Sequence, residues 1–486
     1  MEQIENTELK QKTKIGMLWN VIEKFAIQVI SFILNIILAR LLTPNDYGVI
    51  GMLTIFISFS NIFIDSGFSR ALIQKQDRSE EDFTTVLFFN FVMSCVLYII
   101  LFFSSPAIAK FYRTPELLSL QRVFFVVIIL NSLSVVQNAQ LQIKVDFKKI
   151  AIINSLSTIL SGVLGVIAAY NGIGPWTLVV QTLSKSLITA LLFWIIGHWI
   201  PKTGFSFKSF KLLFGFGSKL LLSGFLSMIA DNIYKLFIGK IYTSESLGYY
   251  TRATQFPDLT SGTANSVLNT VTFPLMSALQ NKTEDLVTTF KRLIKITSMI
   301  VFPAMAGLAV LSKPIVLVLL GEKWAFSAEL LFWLSLASIF AAHNALNMNL
   351  LNAIGRSDLF LKVDLVKYPF MFAMMAICFP ISLKAVVIGR AVTAIIYYFI
   401  NTFMIGRLYS FGFFKQLACS WKYILSTVVM ALIVAVVNYF ISSNLVSLIL
   451  GIAVGVIVYV FMLILLKDEE FNNMGLKILN KVFKRK

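Results

Sequence analysis

Residues 39–52 read ARLLTPNDYGVIGM, and residues 239–252 read GKIYTSESLGYYTR. Laid one on the other, Thr43 falls on Thr243, Gly48 on Gly248 and Arg40 on Lys240. In both, an apolar run ends in a short polar turn and another begins, so each segment reads as two helices joined by a tight connection. A second echo, at a spacing of about 209, places Asn138 on Asn347, Gln140 on Asn349 and Leu141 on Leu350. The echoes fall at helices one and seven and at helices four and ten, which predicts two six-helix halves followed by a final pair. Six is even, so both halves insert the same way up, as a parallel repeat about an axis along the membrane normal. The expected divisions are residues 1–204, 205–410 and a C-terminal pair with a basic tail, 411–486.

Composition sets the solvent. The chain of 486 residues is 57% hydrophobic with a mean hydropathy of +0.81, and its apolar runs repeatedly exceed the length a bilayer requires. It reads as an all-α polytopic membrane protein. Fourteen spans are predicted, at about 15–39, 46–66, 83–104, 117–138, 149–170, 174–199, 213–239, 247–273, 292–313, 326–348, 359–381, 384–405, 419–440 and 445–466. The polar start MEQIENTELKQKTK precedes a full-length apolar run with no small-residue cleavage site, so the first span is expected to be retained rather than removed as a signal peptide. The net charge of +18 has a topological origin. With the N-terminus inside, loop lysines and arginines divide roughly 29 to roughly 8, which predicts both termini on the cytoplasmic face. Anionic lipid headgroups, not nucleic acid, are the partners this charge implies. The segment KTGFSFKSFKLLFG, 202–215, alternates Phe205, Phe207, Phe210 and Phe214 with Lys202, Lys208 and Lys211, as an interfacial connector between the halves would.

Within the spans, polar residues fall in stripes. WNVIEKFAIQVISF, 19–32, carries Glu23 and Lys24 inside an apolar run, although an ionised side chain at the bilayer centre costs about 2.5–3.5 kcal/mol on insertion scales. Asn20, Lys24, Gln28, Ser31 and Asn35 share one helical face there. The second span repeats the pattern with Thr54, Ser58, Asn61 and Asp65, and the seventh with Ser223, Ser227, Asp231 and Lys235. The eighth carries Thr251, Gln255, Asp258, Gly262, Asn265 and Asn269, with Arg252 beside the start of the stripe. These are the equivalent pairs of the repeat, so the stripes are expected to line a central cavity. Ser, Thr, Asn and Gln equally glue membrane helices together, whereas packing requires no charge. The candidate ligand contacts are therefore Lys24, Arg252 and Lys235, with Lys185 and Arg390 in spans six and twelve as further cavity cations. A desolvated carboxylate can carry a proton or hold a sodium ion, which makes Glu23, Asp65, Asp231 and Asp258 candidates for ion coupling. Pro257, Pro274, Pro303 and Pro369 free backbone carbonyls and permit bending.

Catalysis is poorly supplied. His198 sits at a span end beside Trp199, and His343 stands among asparagines. Cys95, Cys378 and Cys419 lack metal-ligand spacing. No phosphate-cradling Gly-Lys-Ser/Thr loop and no nucleophile elbow occurs, so neither cofactor nor metal is expected.

ILARLLTPNDYGVIGM (37–52), DSGFSRALIQKQDRSEEDF (65–83), TFPLMSALQNKTEDL (272–286) and VLLGEKW (318–324) together resemble Wzx-type polysaccharide transporters, particularly the subgroup similar to the colanic acid exporter. These belong to the multidrug/oligosaccharidyl-lipid/polysaccharide superfamily. The resemblance covers about residues 12–410 and weakens through the last two spans. It implies a flippase that carries an undecaprenyl-diphosphate-linked oligosaccharide, a precursor of lipopolysaccharide O-antigen, capsule or another surface polysaccharide, across a bacterial inner membrane by alternating access. It further implies two six-helix lobes around a central cavity, cavity cations for the pyrophosphate, a groove at helices thirteen and fourteen for the lipid tail, and functional association with glycosyltransferases and a polymerase. Two other readings stay open: a multidrug exporter of the same fold, and a membrane polymerase or ligase acting on lipid-linked sugars.

Overall fold

The computed structural model describes the backbone of residues 2–65 and 67–473, and their side chains except 2–18, 20–22, 65, 70, 216–224, 226–227, 230–231, 263–271 and 357. Among the described residues every regular element is helical. The chain divides between Gly248 and Tyr249 into two compact units. The first holds α1 (Glu2–Leu41), α2 (Pro44–Asp65), α3 (Phe68–Gln74), α4 (Glu80–Phe103), α5 (Ser105–Tyr112), α6 (Leu117–Phe124), α7 (Val126–Ile143), α8 (Phe147–Tyr170), α9 (Trp176–Gly197) and α10 (Phe207–Ile241). α11 (Ser244–Ala278) begins in the first unit and continues into the second, which holds α12 (Thr283–Val310), α13 (Ser312–Leu319), α14 (Ala325–Ser338), α15 (Ala341–Ala353), α16 (Ser357–Cys378), α17 (Leu383–Tyr409), α18 (Phe413–Cys419), α19 (Trp421–Phe440) and α20 (Asn444–Leu465).

Eleven helical segments among the described residues are long and apolar enough to cross a bilayer. α10, α11 and α16, of 35, 35 and 22 residues, stand where the seventh, eighth and eleventh spans are predicted. The all-helical polytopic architecture read from hydropathy is the one observed. Apolar side chains project outward along these helices, including Phe103 and Phe440 at 76% and 78% exposure. Such faces are tolerable where hydrocarbon is the solvent. The predicted fourth and tenth spans are each broken once, at Phe125 between α6 and α7 and at Ile339–Phe340 between α14 and α15, so the repeat-related helices share this irregularity. Pro257 and Pro274 lie inside α11, Pro303 inside α12 and Pro369 inside α16.

The two echoed turns share a local design. Thr43 caps α2 by a reciprocal arrangement: Asp46 Oδ2 accepts from the Thr43 N–H at 2.7 Å, and Thr43 Oγ1 accepts from the Asp46 N–H at 3.3 Å. Pro44, with no N–H to satisfy, opens the helix. At the second turn, Thr243 Oγ1 accepts from the Ser246 N–H at 3.1 Å.

Within the first compact unit, α10 packs on α2, α3 and α4. The preceding connector is fastened to the start of α4. Trp199 Nε1 donates to Glu80 Oε2 at 2.9 Å, Thr203 Oγ1 to Thr84 Oγ1 at 3.1 Å, and the Ser206 N–H to Thr85 Oγ1 at 2.9 Å. Fully buried Phe68 sits against Phe89 and Phe210 beneath it.

In the second unit a buried polar network joins four helices. Ser298 on α12 bonds His343 Nε2 on α15 and the Ser420 hydroxyl, both at 2.8 Å. Asn347 and Gln416 exchange amide hydrogen bonds at 2.8 and 3.2 Å, and Tyr398 on α17 donates to Gln416 Oε1 at 2.9 Å. All are at most 1% exposed. His343 is therefore a packing group inside this network. Gln416 is its centre on α18, and the expected outcome of Gln416→Ala is a loss of about 1–3 kcal/mol in stability, because Asn347 and Tyr398 lose buried partners. Replacing Asn347 and Gln416 together by Leu recovers part of that loss. Unfolding in detergent, followed by intrinsic fluorescence, measures both.

Candidate functional site

α1 meets α8 along its length in the first unit, and that contact decides the state of Glu23. Its carboxylate is 8% exposed and accepts a 2.7 Å hydrogen bond from Asn154 Nδ2 on α8. Lys24, the next residue, is exposed and close enough to act electrostatically on Glu23. Gln28 and Asn35 are half-buried farther along α1. On α2, Asn61 accepts from Asn131 Nδ2 of α7 at 3.4 Å, so this member of the predicted cavity face holds two helices together. Lys235 on α10 is half-buried and donates to Asn232 Oδ1 at 3.4 Å. Lys185, midway along α9, is exposed and has no hydrogen bond or ion pair with any described residue.

In the second unit the first turns of α11 gather the polar groups. Arg252 is 7% exposed, and its guanidinium donates to Gln255 Oε1 one turn on. Arg390 on α17 donates to the hydroxyl of Tyr250, which is itself 1% exposed. Exposed Asp258 lies within electrostatic range of that hydroxyl. Arg390, Tyr250 and Asp258 thus form one neighbourhood, and Arg252 with Gln255 forms a second on the same helix. A guanidinium presents its donors in a rigid fork, a geometry suited to phosphate oxygens. The side chains of Asn20, Asp65, Asp231, Asn265 and Asn269 lie outside the described residues.

An apolar cavity of about 450 Å³ opens in the same unit between α12, α13, α19 and α20. Gly307, Gly451 and Gly455 make room for it, and Leu308, Met430 and Val456 help wall it. The Tyr459 hydroxyl at its edge donates to the Met299 carbonyl at 2.8 Å. None of the candidate cations lies on these four helices.

Two participants escape a reading of stripes. Asn154 and Tyr250 contact their partners across 131 and 140 residues of sequence, which periodicity does not register. The ion pair of Lys367 with Asp364 on α16 was legible, since the two stand three residues apart inside a predicted span.

Over residues 37–329 the chain matches the family described as "Polysaccharide biosynthesis protein". It is 27% identical over 348 residues to the teichuronic acid biosynthesis protein TuaB of Bacillus subtilis (strain 168), covering 71% of this chain and 72% of that one. It is 24% identical over 361 residues to the lipopolysaccharide biosynthesis protein WzxC of Escherichia coli (strain K12), covering 74% and 73%. Among solved structures it is similar to the lipid II flippase MurJ in an inward closed conformation, with a TM-score of 0.75 and 16% identity over 93% of this chain and 99% of that one. That last likeness is one of fold.

The charges differ in how they are held, and stability separates them. Glu23→Ala and Asn154→Ala each remove one end of a buried hydrogen bond, and a double-mutant cycle is expected to show a coupling of about 0.5–3 kcal/mol. Glu23→Gln, which retains the acceptor, keeps most of the stability, and Lys185→Met does not lower it. Thermal unfolding in detergent reads all of these.

Proposed function

The chain belongs to the polysaccharide biosynthesis protein family, and from that membership we propose that it is a flippase for an undecaprenyl-diphosphate-linked oligosaccharide. The family match over residues 37–329 is the observation that carries this reading. The substrate is an amphiphile with a dianionic pyrophosphate, hydroxyl-rich sugars and a long apolar tail, and moving it between leaflets breaks no covalent bond. The protein's task is to offer each part a favourable environment through alternating access. Lys24, Arg252 and Lys235 bind the pyrophosphate, with Lys185 and Arg390 as supporting cations. Gln28, Asn35 and Gln255, with Asn20, Asn265 and Asn269, serve the sugars as adaptable donors and acceptors. The apolar cavity beside α19 and α20 takes the tail.

The protein works in a bacterial inner membrane with both termini cytoplasmic, supplied by glycosyltransferases and relieved of product by a polymerase. Its driving energy comes from an ion gradient, the membrane potential or consumption of product outside. Glu23, Asp65, Asp231 and Asp258 are the acids for ion coupling. For Glu23 that role requires its bond to Asn154 to weaken when a proton arrives.

A drug exporter of the same architecture fits less well, since amphipathic drugs are commonly cationic and the candidate site is rich in cations. A polymerase or ligase would require catalytic groups on a large external loop, which the sequence does not supply. The deciding experiment is the Lys24→Ala, Arg252→Ala double variant in cells that depend on this chain. Surface polysaccharide is expected to disappear while the amount of protein in the membrane holds. Normal polysaccharide from that variant would refute the pyrophosphate site.

A further inference from the structure

The two echoed turns do more than resemble each other, for within the first unit they meet. A methyl group on Gly48 would stand 1.6 Å from the carbonyl oxygen of Ser244, and one on Gly248 would stand 1.8 Å from the carbonyl oxygen of Pro44. Ser244 and Pro44 occupy the same place in their respective turns, as do the two glycines. The contact is reciprocal: each glycine covers the first helical residue of the other turn, as in a two-fold interface. Ser244 Oγ also donates to Asn45 Oδ1. No side chain other than hydrogen fits at the crossing, so backbone lies directly on backbone, as where small residues let membrane helices approach.

The surroundings are firm on both sides. Thr43 and Thr243 cap their helices locally. Lys240 donates to the Phe111 carbonyl at 2.6 Å and lies 4.3 Å from the centre of the Phe111 ring. Asn45, Thr243 and Glu245 are nevertheless exposed. Two stiff, complementary surfaces that do not interlock can part and rejoin without opening a void in a packed core, which large interdigitated side chains cannot do. The crossing stands at the end of α1 remote from the chain's N-terminus.

We propose that the α1–α2 and α10–α11 turns form a glycine clasp that shuts the membrane face opposite the N-terminus and must part once in every transport cycle. This rests on the reading of the chain as a transporter. The clasp explains why glycine stands at both echoed positions, where any side chain would hold the turns apart.

The test is Asn45→Cys with Ser244→Cys in the full chain, linked in membranes by a short thiol-specific bifunctional reagent whose bridge a reductant cleaves. Surface polysaccharide from cells that depend on the variant is measured before linking, after linking and after reduction. Linking is expected to cut export at least about tenfold and reduction to restore it. Failure to link, or a linked protein that exports as the reduced one does, overturns the clasp and leaves the transporter reading standing. A reduced, membrane-inserted variant with no export at all, matched by an unaltered chain with none, would instead overturn the transporter reading. A second measurement is independent of export: with Asn45→Cys alone, adding Gly48→Ala is expected to raise the rate of thiol modification about tenfold by displacing the opposed turn. An unchanged rate counts against the clasp.

Discussion

A bilayer core supplies no water to hydrogen-bond a peptide group, so every N–H and C=O placed there must find its partner within the protein. This constraint accounts for the absence of strands among the described residues and for helices as long as the 40-residue α1 and the 35-residue α10 and α11. It acts on side chains too. Hydroxyls along the helices return to carbonyls three or four residues back, as Ser58 does to Thr54 and Thr402 does to Tyr398. Side-chain amides do the same, as Asn347 does to His343, and they also pair across helices, Asn347 with Gln416 and Asn401 with Asn344. The buried network around Ser298 and Gln416 is the same requirement met between elements, where association of helices in lipid gains little from hydrophobicity alone.

What sequence reveals follows from the range of each interaction. Spans were legible because hydropathy is a local sum, and the repeat was legible because a capped turn has a compact signature: Thr43, Pro44 and Gly48 in one half, Thr243 and Gly248 in the other. The short helices α3, α5, α13 and α18, of seven or eight residues each, escaped. They have too few turns to establish a period, and neighbours define them, as Phe89 and Phe210 do for Phe68 at the start of α3. Compactness is likewise a matter of neighbours, since it depends on what α10 packs against.

The candidate site divides along the same line. Stripe membership identified residues that share a face, and it could not distinguish those that face a partner helix. Asn61 belongs to α2's stripe yet is engaged by Asn131, while Glu23 is engaged by Asn154. Charge is the better discriminator than polarity, because a buried amide can be satisfied by one neighbour whereas a cation retains surplus donors after its first bond. Arg252 and Arg390 each donate to a neutral oxygen, of Gln255 and of Tyr250. A neutral acceptor orients a guanidinium without neutralising it.

That distinction bears on how an anionic amphiphile could be both bound and released. A cation fully paired with a carboxylate would have to break an ion pair before meeting a phosphate, and a buried pair resists separation strongly. A cation with no support would be free to follow its ligand and would fix neither its position nor its orientation. A guanidinium that donates to a neutral oxygen lies between these limits, because that bond orients it without cancelling its charge. The apolar cavity at α12, α13, α19 and α20 is built on a related principle, since its glycines provide room without adding polar groups. Both suit a carrier, for which binding that is too tight on one face of the membrane is as limiting as binding that is too weak.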